Sequence, residues 1–387
     1  MRRAGVVLLA AALAACGGDG GSGNVVTPTP SPTPAPAPSP TPTPSPPTTS
    51  VTSTTVATFA APWAMAFLPD GRMLVTEKGG TLNLVTDAGG KSIVGGVPTV
   101  VSAGQGGLLD VALDPQFTAN RRVYLSFTES GSGGTGLAVA RGTLNTAATA
   151  IEAVSVIWRQ APKVANDTRH FGGRMAFSPD GFLFVTAGER HQGAPAQDLA
   201  TTLGKIVRLN LDGTMPSGNP FAATAGARAE IWTLGHRNPY GLVFTTDGRL
   251  FESEMGPEGG DEFNLITRGA NHGWRTVSEG NDGEVLPRHS TRPEFAAPLV
   301  SWTPVIAPGG MIQYTGTRFV GWNGDFVLAG LVSQGLVRVR VTGSTAAEVG
   351  RIALGARIRE VEQGPDGAIW VLEDAATGAR LRKLAPS

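Results

Sequence analysis

The chain is poor in cysteine, in charge and in aromatic side chains. Cys16 is the only cysteine among 387 residues, so no intramolecular disulfide can form. Charged residues account for 16% of the chain and aromatic residues for 6%, and the 31 basic and 31 acidic residues balance to a net charge of +0. The basic excess typical of nucleic-acid-binding proteins is missing, so we expect no nucleic-acid partner. The 53 glycines and 29 prolines disfavour helical bundles and favour a turn-rich all-β protein.

The N-terminus resembles a bacterial lipoprotein signal. Arg2 and Arg3 precede an apolar stretch over residues 4–12, which is too short to span a bilayer, and Cys16 follows shortly after it. The resemblance implies a signal peptide over residues 1–15, whose removal leaves a lipidated Cys16 as a membrane anchor. We therefore expect the chain in the cell envelope, on the outer membrane and facing the periplasm. An ordinary secretory signal with an incidental cysteine is the alternative.

Residues 16–55 are predicted to form a linker. Proline alternates with threonine, serine or alanine from Pro28 to Pro46. Such a low-complexity segment cannot bury a core, so we expect a disordered but stiff chain of polyproline character. The folded domain is predicted to occupy residues 56–387.

One pattern recurs six times after the linker. An alternating apolar run meets a turn, often of the Pro-Asp-Gly type, and a second run of β-forming residues follows, as in residues 63–75, 175–185 and 361–371. Six such hairpins leave enough chain for six four-stranded units, so the sequence predicts an all-β, six-bladed β-propeller. A β-sandwich or two all-β domains is the alternative, but six similar units in series favour a closed ring.

Several motifs between the hairpins contain residues that neither turns nor a core require. Carboxylates and Gly/Pro carbonyls in residues 254–264 are hard oxygen ligands of the kind that Ca²⁺ prefers. Strand alternation places the guanidinium groups of Arg357 and Arg359 on one side, where they could bind carboxylates. The full set is Gly104-Gln105-Gly-Gly, Arg169-His170-Phe-Gly-Gly-Arg174, Gly235-His236-Arg237-Asn238-Pro239, residues 254–264, Asn271-His272-Gly-Trp274 and Arg357-Ile-Arg359.

In this order, these motifs resemble those of the soluble aldose sugar dehydrogenases that use pyrroloquinoline quinone (PQQ), the glucose/sorbosone dehydrogenase family. The resemblance covers essentially all of the chain after residue 55 and includes Pro62-Trp63-Ala-Met-Ala-Phe67 and Leu203-Gly-Lys-Ile-Val-Arg-Leu209. It implies a six-bladed propeller with the quinone over the central channel. It also implies oxidation of aldose sugars at C1 to lactones, with electrons passed to an external acceptor.

The resemblance further implies roles for individual residues. His170 matches the catalytic base, which takes the proton of the anomeric hydroxyl while a hydride passes to the quinone. Contacts to PQQ are implied for five residues, namely Gln105, Arg237, Asn238, Arg357 and Arg359.

Two Ca²⁺ sites are implied in the same way. The backbone carbonyls of Gly256 and Pro257 match the ligands that hold Ca²⁺ against the cofactor. The Glu262 side chain and the main chain of His272 match a second site, which is structural.

The chain departs from the family pattern at three places. Where the family carries a lysine in the fifth blade, Ala329-Gly-Leu331 continues with Val332. An aromatic expected after Trp274 is replaced by the region 281–283, and the position before Gly256 is Met255. These changes leave open a second class, a non-catalytic propeller tethered to the envelope that binds a saccharide or a protein. They also leave open a purely structural His170. A Ca²⁺-dependent hydrolase is disfavoured, because its metal would bind side-chain carboxylates.

Overall fold

The computed structural model describes residues 50–387. The predicted signal peptide, Cys16 and most of the predicted linker lie outside the described residues. Within the described part, no helix is both long and apolar enough to cross a membrane.

Within residues 50–387, twenty-four strands form six antiparallel sheets of four strands each. Blade one contains β2 (Pro62–Phe67), β3 (Met73–Glu77), β4 (Thr81–Val85) and β5 (Lys91–Val94); blade two β6 (Leu108–Leu113), β7 (Arg122–Gly131), β8 (Gly134–Leu144) and β9 (Ile151–Arg159); blade three β10 (Gly172–Phe177), β11 (Leu183–Ala187), β12 (Lys205–Leu209) and β13 (Ile231–Leu234); blade four β14 (Pro239–Phe244), β15 (Leu250–Glu254), β16 (Asp261–Ile266) and β17 (Val300–Trp302); blade five β18 (Pro308–Gln313), β19 (Phe326–Gly330), β20 (Gly335–Thr342) and β21 (Thr345–Ala353); blade six β22 (Ile358–Gln363), β23 (Ile369–Glu373), β24 (Ala379–Pro386) and β1 (Val51–Phe59). The short helix α1 (Phe117–Asn120) and two 3₁₀ turns (Ala194–Gln197 and His289–Thr291) lie in the loops.

The first strands of the six sheets contact one another in a closed ring. The order around the ring is β2, β6, β10, β14, β18, β22 and back to β2. The ring of six four-stranded sheets confirms the predicted six-bladed propeller. The six inner strands run in the same sense, so all of them begin at one end of the channel and finish at the other.

The strand that closes the ring, β1, was not predicted from the sequence. β1 pairs with β24 from Val51 opposite Pro386 to Phe59 opposite Ala379. The folded domain therefore begins inside the segment that we predicted as linker, whose boundary was placed at residue 55. The sequence of β1 is rich in threonine, which is common both in strands and in the preceding linker. Only the pairing of β1 with the distant β24 distinguishes this strand from the linker.

Each inner strand has a bulge near its start. The register shifts between Pro62 and Met65 in β2, and equivalent shifts occur in β6, β10, β14, β18 and β22. A bulge re-aims the side chains next to it. Trp63, Tyr240 and Arg359 stand at these bulges, at the end of the channel where the strands begin.

The apolar core lies in the walls of the ring. Each inner strand buries one apolar residue at the same position, and these are Met65, Val111, Met175, Leu242, Met311 and Val361. The centre of the channel is polar instead, since Arg174 pairs there with Asp110 and Glu360. The propeller thus holds polar groups in the channel on a rigid apolar frame.

Candidate active site

A cavity of about 260 Å³ opens at the end of the channel where the inner strands begin. The rings of Trp63 and Tyr240 line it and meet edge to face with 5.9 Å between their centroids. Its polar lining includes Lys78, Gln105, Arg357, Arg359 and Asp374. The cavity therefore offers aromatic faces together with several cations.

Arg357 and Arg359 share one carboxylate in this cavity. Both guanidinium groups donate to Asp374, one to each oxygen, at 2.9 Å from Nη2. Burial acts to raise the pKa of Asp374, but the two arginines outweigh it and hold that pKa below its usual value. The sequence placed the two arginines on one side but missed Asp374, which follows β23 and belongs to no motif.

Lys78 adds a third cation. Its Nζ donates to the carbonyl of Gly104 at 2.6 Å, beside Gln105. Burial and the nearby Arg359 guanidinium lower the pKa of Lys78. Three cations thus face one carboxylate in this cavity. On another side the cavity is lined by the apolar Leu331, and the following residue, Val332, is half exposed. A planar aromatic acid such as PQQ, which carries three carboxylates, fits this combination of aromatic surface and positive charge.

His170 is held by two side chains from neighbouring loops. Its Nδ1 bonds the carboxylate of Glu189, and its backbone N–H donates to Gln105 Oε1 at 2.6 Å. Burial lowers the pKa of His170, although Glu189 opposes the change. With Nδ1 protonated and donating to Glu189, the lone pair of the neutral ring lies on Nε2. That nitrogen can accept a proton near neutral pH.

The backbone around His170 is held by Arg190, which sequence reasoning also missed. His170 has a φ of 50°, in the left-handed region, and needs such support. The fully buried Arg190 donates to the carbonyls of Arg169 at 2.9 Å and Asp167 at 2.6 Å. Its guanidinium stacks on Phe171 at 3.6 Å. Nothing in the sequence distinguishes this arginine from a surface residue.

Two of the residues expected to contact PQQ do not line the 260 Å³ cavity. Arg237 donates to the carbonyls of Met255 at 3.0 Å and Gly256 at 2.9 Å. Asn238 is buried, and its Oδ1 accepts from the N–H of Gly172 at 3.3 Å. The structure therefore brings Gln105, Arg357 and Arg359 together around this cavity, whereas Arg237 lines neighbouring cavities beside Gly256 and Glu189, and Asn238 is buried next to Gly172.

The four predicted metal-binding residues line one small cavity. Gly256, Pro257, Glu262 and His272 surround a space of about 10 Å³, which is room for one water-sized or ion-sized body. The carbonyl of Gly256 accepts from Arg237 at 2.9 Å, and the carbonyl of His272 accepts from His289 Nε2 at 3.0 Å. A cation at this place would share those two oxygens with the existing donors.

A further cavity of about 310 Å³ lies on the Glu189 side of His170. Gln192, Arg275 and Asp282 line it, together with His191, whose ring meets that of His170 edge to face at 5.1 Å. Asp282 pairs with Arg275. The region 281–283, which replaces the expected aromatic, thus lies beside the base and presents polar groups that can bind hydroxyls.

Comparison with known proteins agrees with this geometry. The sequence profile of the glucose/sorbosone dehydrogenase family matches residues 59–383. The aldose sugar dehydrogenase YliI of Escherichia coli is 39% identical over 335 residues, covering 84% of this chain and 90% of that protein. Quinoprotein glucose dehydrogenase B of Acinetobacter calcoaceticus is 28% identical over 401 residues, covering 81% and 83%. The PQQ-bound aldose sugar dehydrogenase of Streptomyces coelicolor superposes with a TM-score of 0.69 at 27% identity, covering 88% of this chain and 100% of that chain.

The fold and the site define a six-bladed propeller dehydrogenase of the quinoprotein class, as the sequence predicted. The chain belongs to the glucose/sorbosone dehydrogenase family.

Proposed function

We propose that this chain uses PQQ and Ca²⁺ to oxidise aldose sugars at C1 to lactones and passes the electrons to an external acceptor. The observation that carries this proposal is the His170–Glu189 pair beside a cavity with aromatic walls and three cations. When bound, PQQ supplies the two-electron acceptor for the hydride that leaves C1. Lys78, Gln105, Arg357 and Arg359 are the residues that would hold it.

His170 is the general base of this proposal. Its Nε2 takes the proton of the anomeric hydroxyl, so the sugar loses a proton and a hydride and becomes a lactone. Glu189 stabilises the imidazolium that forms, because its carboxylate stays bonded to Nδ1. The polar groups of the 310 Å³ cavity orient the sugar hydroxyls.

The residues of both implied Ca²⁺ sites line the small cavity of blade four, which has room for one ion, so a single Ca²⁺ is proposed there. The carbonyls of Gly256 and Pro257, the Glu262 carboxylate and the main chain of His272 are the oxygen donors available there. Ca²⁺ at this place would supply positive charge beside Arg237 and the cofactor.

A lipid anchor on Cys16 and a periplasm-facing position on the outer membrane complete the proposal. Replacing Cys16 with serine is expected to release the chain from the membrane fraction into the soluble envelope fraction. Fractionation of cells producing either form tests this, and an unchanged membrane association would contradict the anchor.

Reconstitution tests the activity. Chain from residue 50 onward is stripped with chelator, supplied with Ca²⁺ and PQQ, and assayed by dye reduction with a panel of aldoses. We expect sugar-dependent turnover that requires both additions. Failure of PQQ to bind would favour the tethered binding propeller instead.

The pH dependence of the reaction follows from the lowered pKa of His170. A base acts only when it is unprotonated, so kcat/KM should be constant at neutral pH and fall as the pH drops through the His170 pKa. Since burial lowers that pKa from 6.5, the midpoint of the fall is expected below pH 6.5. A pH profile of kcat/KM measures it. A midpoint above pH 6.5 would contradict the assignment.

Loss of the Lys78 charge should weaken cofactor binding. We expect Lys78→Gln to raise the Kd for PQQ about tenfold and Lys78→Arg to leave it nearly unchanged, because a charge-assisted contact is lost only in the first. The loss should shrink as salt is added. Absorbance titration of the metal-loaded chain measures Kd. Lys91→Gln is the matched control, since Lys91 Nζ donates to the Thr58 carbonyl at 2.6 Å away from the cavity.

A further inference from the structure

Three carboxylates lie side by side in the interior of blade four. Glu252 and Glu254 are two residues apart on β15, and Glu254 stands opposite Glu262 on β16. All three are buried. Within residues 50–387, no lysine or arginine forms an ion pair with any of them. Several like charges in a low-dielectric interior are costly unless a cation or protons compensate them.

Two buried oxygen atoms in this cluster lack any partner. Glu252 Oε2 accepts from Asn264 Nδ2 at 3.1 Å, but Glu252 Oε1 has no hydrogen-bond donor. The Oδ1 of Asn264 also has none. Both side chains are fully buried. Buried acceptors without a donor, next to two further carboxylates, leave oxygen atoms available to a cation.

His236 brings a nitrogen to the same place. Its Nδ1 lies 3.0 Å from Glu254 Oε1, and its Nε2 lies 2.9 Å from Thr233 Oγ1. Ligand atoms of His236, Glu252 and Glu254 lie within 4.8 Å of one another. If Nε2–H donates to Thr233, the lone pair of Nδ1 points toward the carboxylates.

We propose that His236, Glu252 and Glu254 form a binding site for a divalent transition-metal ion of the Zn²⁺ type. An imidazole nitrogen combined with carboxylates suits Zn²⁺ better than Ca²⁺, which prefers oxygen ligands only. This donor set differs from the Glu262 and His272 pair implied by the family resemblance. It shares no residue with that pair, although Glu254 also lines the small cavity proposed for Ca²⁺.

The groups around the site orient its ligands. The backbone N–H groups of Arg237 at 2.6 Å and Asn238 at 3.2 Å donate to the other oxygen of Glu254. Metal binding at Glu254 and His236 would therefore fix the loop that carries Arg237. The ion acts as a structural clamp between β15 and this loop.

Metal retention and thermal stability test the site. The PQQ-free chain is stripped of metal with chelator and then loaded with Zn²⁺ or Ca²⁺. After dialysis, the retained metal is measured by mass spectrometry. We expect one Zn²⁺ per chain to be retained and to raise Tm by about 5 °C, as saturating binding to the native state requires. Because no catalysis is measured, the result is independent of the proposed dehydrogenase activity.

Two isosteric variants distinguish the donor set. Glu252→Gln should weaken Zn²⁺ binding about 100-fold and abolish its effect on Tm, although the metal-free variant should be at least as stable because a buried charge is removed. Glu230→Gln, which replaces a buried carboxylate bonded to Arg228 outside the donor set, should retain Zn²⁺. No retained Zn²⁺, or equal loss of Zn²⁺ in Glu252→Gln and Glu230→Gln, would overturn the proposal.

Discussion

Replacing Glu189 with glutamine is expected to lower kcat by about 10²–10⁴-fold. The Glu189 carboxylate accepts from His170 Nδ1 and stabilises the positive charge that the ring gains when it takes a proton. A glutamine amide can instead donate to Nδ1, which would move the ring proton to Nε2 and remove the lone pair that the reaction needs. The substitution should lower kcat, because Glu189 bonds the base His170 and does not line the cofactor cavity.

The Kd for PQQ and the pH profile of kcat/KM separate this role of Glu189 from a merely structural one. Glu189 also accepts from the N–H of Gly193, so a general distortion of the loop would be a competing explanation. We therefore expect the Kd for PQQ to stay unchanged and the pH profile of kcat/KM to shift, with partial recovery in Glu189→Asp. Glu230→Gln is the matched control, since Glu230 is buried but bonded to Arg228. A kcat for Glu189→Gln close to that of this control would contradict the role.

Replacing Arg174 with methionine is expected to reduce the free energy of unfolding by about 3–5 kcal/mol. Arg174 Nη1 pairs with Asp110 at 3.1 Å and with Glu360, and its Nε donates to the carbonyl of Tyr240 at 3.0 Å. All of these groups are buried in the channel. Removing the Arg174 guanidinium leaves the carboxylates of Asp110 and Glu360 without a compensating charge. The resulting loss of stability is larger than the loss from breaking a solvent-exposed ion pair.

The size of this loss should depend on pH. Burial raises the pKa of Glu360 to about 7 even with Arg174 in place. An acid whose pKa is raised by folding binds more protons in the native state, so its contribution to stability is present at low pH and is lost as the pH rises toward 7. Without Arg174 the penalty for ionising Glu360 and Asp110 grows, so the variant should be destabilised more at pH 8 than at pH 5.

Denaturant unfolding at both pH values measures the loss. Arg249→Met is the control, because Arg249 forms an exposed pair with Asp247 at 3.0 Å and should cost no more than about 1 kcal/mol. Equal destabilisation of the two variants, or a larger loss of stability for Arg174→Met at pH 5 than at pH 8, would contradict the proposed compensation of Asp110 and Glu360 by Arg174.

The propeller could be predicted because its signal is local and repeated. Each blade begins with an apolar strand, a tight turn and a second strand, so the six copies are visible without knowledge of their partners. The closing strand β1 could not be predicted in the same way. Its partner is β24, at the other end of the chain, and its threonine-rich sequence resembles the linker before it.

The candidate site was predicted where its residues stand in motifs. His170 and Gln105 are set among glycines, and the structure joins them through a hydrogen bond at 2.6 Å. Glu189, Asp374 and Arg190 contribute equally to the geometry but were missed, because each reaches the site from the end of another strand or from a loop with no distinctive neighbours.

Glu252, a ligand of the metal site proposed above, could not be predicted from the sequence. Glu252 lies in the middle of a strand and would be taken as a solvent-facing residue by alternation alone. Only the pairing of β15 with β16 and the approach of His236 show that it is buried beside other acceptors.

His170 is proposed to remove a proton while C1 of an aldose loses a hydride to bound PQQ. Single-turnover reduction of the PQQ-loaded, Ca²⁺-loaded chain by an aldose, with hydrogen or deuterium at C1, tests this step. We predict rapid bleaching of the oxidised cofactor with a primary isotope effect, and its loss by about 10²–10⁴-fold in His170→Ala at unchanged PQQ affinity. Bleaching at the same rate in His170→Ala, or without an isotope effect, would contradict this proposal.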